Sequence, residues 1–212
     1  MSNVLGDDFT LVTPETLRDY IPEGTLHESY RNLPLVALKT DAIRVALLAT
    51  HGGWWWDADT VALCKPTMLP DDRPLYATWT NPPRRVLNGY VHLPKETAGG
   101  WLEQVNHRLA DGQRVSWCDL GEGLLSDVLA TDPRSQEIPL RLLLPIDIDS
   151  GVRRFFLPGD PKDHITEDTI CFGLNYSFFM YHHRDVMMMP EETWGESPLL
   201  IHRLLDLARS QS

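Results

Sequence analysis

No apolar run in the chain approaches the roughly 18 residues that a membrane-spanning helix needs, so no membrane segment is expected in it. Its first residues, Met1 to Asp8, carry neither the basic region nor the apolar stretch of a signal peptide, which makes a cytoplasmic protein the expectation. Cysteine is scarce: Cys64, Cys118 and Cys171 lie far apart and form no C-x-x-C pair. That pattern excludes a disulfide framework and reads as buried thiols in a reducing compartment. Positive charge is short too, with 19 Lys and Arg against 30 Asp and Glu and a net charge of -11. Binding to a phosphate backbone requires clustered cations, so no nucleic-acid partner is expected. An acidic protein that handles phosphates must find positive charge elsewhere, and a bound divalent metal is the usual source. Internal repeats and low-complexity segments are also missing, and the 16 prolines are scattered as loop punctuation instead of marking one linker.

What remains is the composition of a soluble globular protein: 212 residues, 42% hydrophobic and 23% charged. One domain spanning residues 1–212 is the economical expectation. From Leu33 to Thr50 the apolar residues Leu35, Leu38, Ala42, Val45 and Ala49 recur at helical spacing. The Gly52-Gly53 pair that follows is suited to a left-handed helix stop. Trp54–Val61 and Leu75–Trp79 read as strands, and Trp101–Ala110, Leu124–Ala130 and Pro198–Ala208 as helices. Arg141–Ile148 is strand-compatible despite Pro145, and Ile170–Tyr181 is rich in aromatics. Helices alternating with short strands imply an α/β sheet protein.

The segment THGGWWWDADT, Thr50 to Thr60, sets three tryptophans directly against two aspartates. In a strand, alternate side chains take opposite faces. Trp54, Trp56 and Ala58 would then form a buried layer, while Trp55, Asp57 and Asp59 would point together into a cavity. Two carboxylates held this close repel unless a cation lies between them, and oxygen ligands of this kind suit Mg²⁺ or Mn²⁺. On the preceding helix Asp41 and Arg44 are spaced i, i+3 and share a face. That helix is strongly apolar from Ala42 to Ala49, so the pair is expected to be covered and available to sugar hydroxyls or phosphate oxygens.

The run ALKTDAIRVALLATHGGWWWDADT resembles the core signature of the DXD-type nucleotide-sugar glycosyltransferases, in which a Ser/Thr-Asp-x-x-Arg helix leads through Gly-Gly into an apolar strand and the DXD. The likeness extends from Phe9 to Pro66 and is nearest to the family-32 and capsular-polysaccharide enzymes, with the glucosylating clostridial toxins more distant. Compact domains of this kind occur within multidomain glycosyltransferases of large algal viruses and bacteria. The resemblance implies a GT-A fold: a mixed sheet flanked by helices in one domain. It implies transfer of a sugar from a nucleotide-diphosphate donor, by default a UDP-sugar, to a glycan or glycoprotein acceptor. By position, Asp57 and Asp59 would hold Mn²⁺ or Mg²⁺ against the diphosphate. Asp41 and Arg44 would bind the donor, together with Trp55. VLNGYV resembles the family's strand bearing an asparagine, here Asn88, that lines the donor pocket. GEGLL is loosely similar to a later glycine loop near the acceptor, and FMYHHRD followed by Trp194 resembles the His…Trp ending. His182, or alternatively His183, would then add a metal or phosphate ligand.

Such a reaction expels a nucleotide diphosphate from the anomeric carbon through an oxocarbenium-like state. The metal would act as a Lewis acid on the leaving group, with Arg44 a further donor. An inverting enzyme also needs a carboxylate base, for which Glu122, Asp119, Asp147 and Asp149 are candidates. A retaining enzyme needs none, and the nearest relatives lean that way. Two other readings stand beside this one. DADT also resembles the D-x-D-x-T signature of haloacid-dehalogenase-type phosphohydrolases, with Asp57 as nucleophile and Gly159-Asp160 and Asp163 as a second motif. Against it, no lysine falls between Lys95 and Lys162, and Asp41 and Arg44 have no role there. The other is a non-catalytic sugar-nucleotide-binding domain, where Trp79, Trp101, Trp117 and Trp194 could stack on sugar rings.

Overall fold

The computed structural model describes residues 2–80, 84–112, 114–116, 119–146, 152–174 and 183–210. Along the chain run α1 (Ser2–Leu5), α2 (Leu17–Tyr20), α3 (Val36–His51), β1 (Gly53–Trp56), β2 (Thr60–Ala62), β3 (Leu75–Thr78), β4 (Val86–Leu93) and α4 (Lys95–Ala110). After them come α5 (Leu124–Thr131), β5 (Gln136–Glu137), β6 (Cys171–Gly173), α6 (Arg184–Met187) and α7 (Leu200–Ser210). The protein is mixed α/β, and the chain divides into two compact units. Among the described residues no helix is long and apolar enough to cross a membrane.

One unit comprises Leu11–Trp56 and Leu69–Ile138. Its sheet has the order β1-β4-β3-β5, antiparallel except for the parallel β3–β5 pair. The apolar stripe of α3 (Leu38, Ala42, Val45, Leu48) meets that of α4 (Ala98, Trp101, Val105, Leu109) over Val91 and Leu93 of β4. Each leucine and valine among them taken from water contributes about 1.5–3 kcal/mol, which is what holds helices of modest propensity in place. The stripe also explains why α4 begins at Lys95, six residues before the expected start at Trp101. Gly99 and Gly100 are poor helix formers, yet Ala98 continues the buried face behind them. At the end of α3, Gly52 and Gly53 have φ of 71° and 94°, the left-handed region that ends a helix without strain.

β1 places its tryptophans the other way round from the alternation argument. Trp55 pairs with Val91 and packs on the helix-covered core. Trp54 and Trp56 face the opposite side, where Trp54 lies against the His92 ring at 5.4 Å. The strand also stops at Trp56, short of the expected Val61. The Asp57 carbonyl accepts the Thr60 amide at 3.0 Å, closing a four-residue turn. The physical cause is pairing: β1 is laddered to β4 and β2 to β6, so the chain must turn between them, and aspartate favours turns.

His92 gives this unit a pH signature. Its ring is buried and Nδ1 donates to the Arg73 carbonyl at 3.0 Å. Burial pushes its pKa below the ordinary imidazole value, against the opposing pull of the Arg73 carbonyl, Asp71 and Asp72. The unfolded chain therefore takes up this proton first as pH falls. The stabilisation is complete above about 6.5 and is lost as pH drops toward the folded value. Urea midpoints between pH 7.5 and 5 should fall more steeply for the wild type than for His92→Asn, which keeps a donor at the Nδ1 position but does not titrate.

The other unit comprises Met1–Thr10, Asp57–Met68 and Pro139–Ser212. The two-stranded β2–β6 ladder carries Phe172, which joins Leu63, Phe155 and the buried face of α7 (Leu200, Ile201, Leu204, Ala208) in a second core. Cys64 is half-buried and Cys171 buried, and burial pushes both thiols up, as expected of structural cysteines. Cys118 lies outside the described residues. In the described part of the strand expected over Arg141–Ile148, residues 141–146, a 3-10 turn at Leu140–Leu142 stands in its place, where the flanking Pro139 and Pro145 offer no amide to a ladder, and residues 147–148 lie outside the described set. Of the aromatic run from Ile170, Cys171–Gly173 is a strand, and residues 175–181 lie outside the described set.

Candidate functional site

Helix α3 buries more than apolar residues. Asp41 and Arg44 emerge on its covered side, with side chains only 11% and 4% exposed, and Arg44 Nη1 donates to Asp41 Oδ1 at 2.8 Å. The guanidinium carbon lies 5.2 Å from the centre of the Trp55 ring, within cation–π range. From β4, Asn88 Nδ2 donates to the same Asp41 oxygen at 3.1 Å. Three elements, α3, β1 and β4, thus converge on one buried ion pair. Charge held this far from water is costly unless it is paired and hydrogen-bonded, and here it is both.

A fourth element closes over this cluster. Asp119–Gly123 forms a single π-helical turn, a local widening often found at functional sites. A Cβ on Gly121 would overlap Asn88 Nδ2 and come within 2.8 Å of Asp41 Oδ2, so only glycine fits against the pair. The turn is fixed from beneath by Trp101, whose indole Nε1 donates to the Leu120 carbonyl at 2.8 Å. It presents Glu122, whose side chain is 13% exposed and whose Oε1 lies 3.6 Å from Arg85 Nε. Sequence reasoning reached Asp41, Arg44 and Asn88 but gave the GEG stretch only a loose match. The signal available was the glycine itself.

The other predicted residues are placed as follows. Asp57 and Asp59 are half-buried at the two ends of the three-residue span that leads into β2. The Leu174 amide donates to the Asp59 carbonyl at 2.8 Å, anchoring that turn on the chain beyond β6. The adjoining Thr60 hydroxyl is buried with no hydrogen-bond partner. Two carboxylates on one turn are hard oxygen donors, and in kind they fit Mn²⁺ or Mg²⁺, which retain water and phosphate oxygens as further ligands. Among the described residues no group of three or more His, Cys, Asp or Glu is arranged to hold a metal. His183 instead stacks on Phe156 with ring centres 3.6 Å apart, and His182 lies outside the described residues.

Of the candidate bases, Asp119 accepts the Ser116 amide at 2.7 Å. That bond lowers its pKa and marks it as a loop-holding residue. Asp147 and Asp149 lie outside the described residues. Asp160, from the rival phosphohydrolase motif, caps the short turn Pro161–Asp163 by accepting the Lys162 amide at 3.1 Å. Lys95 is the first residue of α4. Among the tryptophans, Trp101 is fully buried and Trp194 donates to the Met189 carbonyl at 3.2 Å. Trp117 lies outside the described residues.

No protein-family model, curated protein or solved structure matches this chain.

Proposed function

We propose that this chain is a metal-dependent glycosyltransferase domain of GT-A architecture, moving a sugar from a nucleotide-diphosphate donor to a glycan or protein-linked glycan. A UDP-sugar is the default donor. The observation that carries the reading is the buried cluster of Asp41, Arg44 and Asn88 under Gly121. Residues distant in sequence gather there into one hydrogen-bonded group that combines a cation, an acid and an amide. This is the mixture that recognises sugar hydroxyls beside phosphate, and buried, interacting charges concentrate at sites that bind ligands.

In this reading Arg44 offers fixed N–H donors to the charged end of the donor. Asp41 and Asn88 supply an acceptor and a donor for sugar hydroxyls, and Trp55 supports the guanidinium from behind. Asp57 and Asp59 would hold Mn²⁺ or Mg²⁺. When bound, the ion supplies Lewis-acid neutralisation of the leaving diphosphate.

Thermal unfolding with UDP, with and without Mn²⁺, tests the assignment. Ligand at about 100 times its dissociation constant stabilises by roughly 2.7 kcal/mol, a shift of several degrees for a chain of this size. The shift should require Mn²⁺ and vanish in Asp59→Ala. No shift with UDP, or with GDP as a second nucleotide, would remove the donor assignment and favour phosphatase assays.

A further inference from the structure

The carboxylate assigned to the donor's sugar is closed off. The Asp41 side chain is 11% exposed, so a sugar hydroxyl reaches it only if part of the surrounding wall moves. Most of that wall is fixed. Helix α3 runs for 16 residues, and β1 and β4 are laddered to each other. The remaining piece is the single π turn of Asp119–Gly123, which lies outside both sheets and lays Gly121 across the cluster. A Cβ there would overlap Asn88 Nδ2 and crowd Asp41 Oδ2, so the backbone of the turn fills the space a hydroxyl needs to meet both atoms. The turn is held down by one buried bond, from Trp101 Nε1 to the Leu120 carbonyl at 2.8 Å. It is also loaded against that bond. Glu122 Oε1 is covered with no hydrogen-bond partner among the described residues, and Arg85 Nε at 3.6 Å is beyond hydrogen-bond reach. A buried carboxylate oxygen without a donor destabilises the arrangement that buries it. Opening the turn lets water reach that oxygen, which narrows the gap between closed and open forms.

We infer that the Asp119–Gly123 turn is an autoinhibitory lid, whose backbone at Gly121 occupies the place of the donor's sugar and is displaced when a nucleotide-sugar binds. Trp101 is its latch, a positioning residue that touches no ligand. The inference rests on the nucleotide-sugar reading and adds to it a gate that answers to the sugar and not to the nucleotide. The apparent affinity for a sugar donor is then the intrinsic affinity reduced by the fraction of molecules whose lid is open. UDP has no sugar to place on Asp41 and Asn88, so it leaves the turn where it is.

Hydrogen exchange on the full chain with Mn²⁺ tests this, using UDP, UDP-glucose, UDP-galactose and UDP-N-acetylglucosamine as probes, with binding followed by thermal shift. At saturation at least one of the three sugar donors should speed exchange at the amides of residues 120–123 by about tenfold or more, whereas UDP should leave them as in the free protein. A turn that merely borders the site would be protected by the ligand, which is the opposite sign. Trp101→Phe removes the latch bond without touching the cluster. It should bind that sugar donor about tenfold tighter than the wild type does, although it is the less stable protein, because losing one buried hydrogen bond raises the open fraction by that order. Its affinity for UDP should be unchanged. A turn that stays protected with a sugar donor bound would overturn the lid. So would wild-type or weaker affinity of Trp101→Phe for that donor, or binding of UDP with none of the three sugar donors admitted. Failure of all four probes to bind would instead remove the donor reading on which the lid rests.

Discussion

Arg44→Met should destabilise the protein by about 3–5 kcal/mol, the scale seen when one member of a buried ion pair is removed. The Arg44 side chain is 4% exposed and that of Asp41 11% exposed, so solvent cannot take over the vacated role. Asn88 would still donate to Asp41 at 3.1 Å, but a neutral amide does not replace the cation lost from a buried pair. The melting temperature should fall by on the order of 10 °C, followed by circular dichroism. The paired variant Asp41→Asn with Arg44→Met should recover a substantial part of the loss, because no unpaired charge then remains in the cluster. Arg44→Lys should lie between, keeping the charge but losing the planar face that Trp55 supports. If all three variants melt with the wild type, the pair contributes no stability, and the burial argument for the site fails with it.

That cluster was the part most legible in the sequence. Helical periodicity from Leu35 to Ala49 located α3, and its apolar character implied that Asp41 and Arg44 would be covered, as they are. The Gly52-Gly53 stop was equally readable, since few residues other than glycine accept those backbone angles. The turn at Asp57 was not. Trp54 to Val61 reads as one strand-compatible run, and the turn tendency of Asp57 alone does not say that β1 must stop where its pairing with β4 ends, at Trp56 opposite Tyr90. The orientation of Trp55 was missed for a related reason. Alternation fixes which residues share a face but not which face meets the helices.

The π turn had no readable period. Five residues are too few for one, and the demand for glycine at 121 comes from Asn88 and Asp41, remote in sequence. β5 escaped for want of any apolar signal: Gln136 and Glu137 are both exposed, and their place is set by pairing with Leu75 and Tyr76. The division of the chain was silent as well. Asp57–Met68 belongs to a different compact unit from the residues on either side of it, and although Pro70-Asp71-Asp72-Arg73-Pro74 follows its far end, nothing in the run from Trp54 to Val61 marks the crossing at Trp56.

Trp101→Ala should cost a further 3–5 kcal/mol, and its consequences should reach beyond the core. Trp101 heads the fully buried side chains in size among the described residues, so truncation leaves a cavity between α3, α4 and the sheet. It also strips the Leu120 carbonyl of its indole donor, at 2.8 Å, inside the turn that carries Gly121 and Glu122. Trp101→Phe separates these two effects. Phenylalanine keeps most of the buried area but offers no N–H, so its cost should be about 1–3 kcal/mol, near that of one buried unsatisfied carbonyl. Urea unfolding gives both values, and hydrogen exchange at the amides of residues 120–123 locates the damage. In the phenylalanine variant protection should drop chiefly in that turn, whereas in the alanine variant it should drop across α4 as well. Exchange in the turn that stays at the wild-type rate in Trp101→Phe would mean that packing, not the indole bond, fixes the π turn. Glu122 would then owe its position to Gly121 and its neighbours alone.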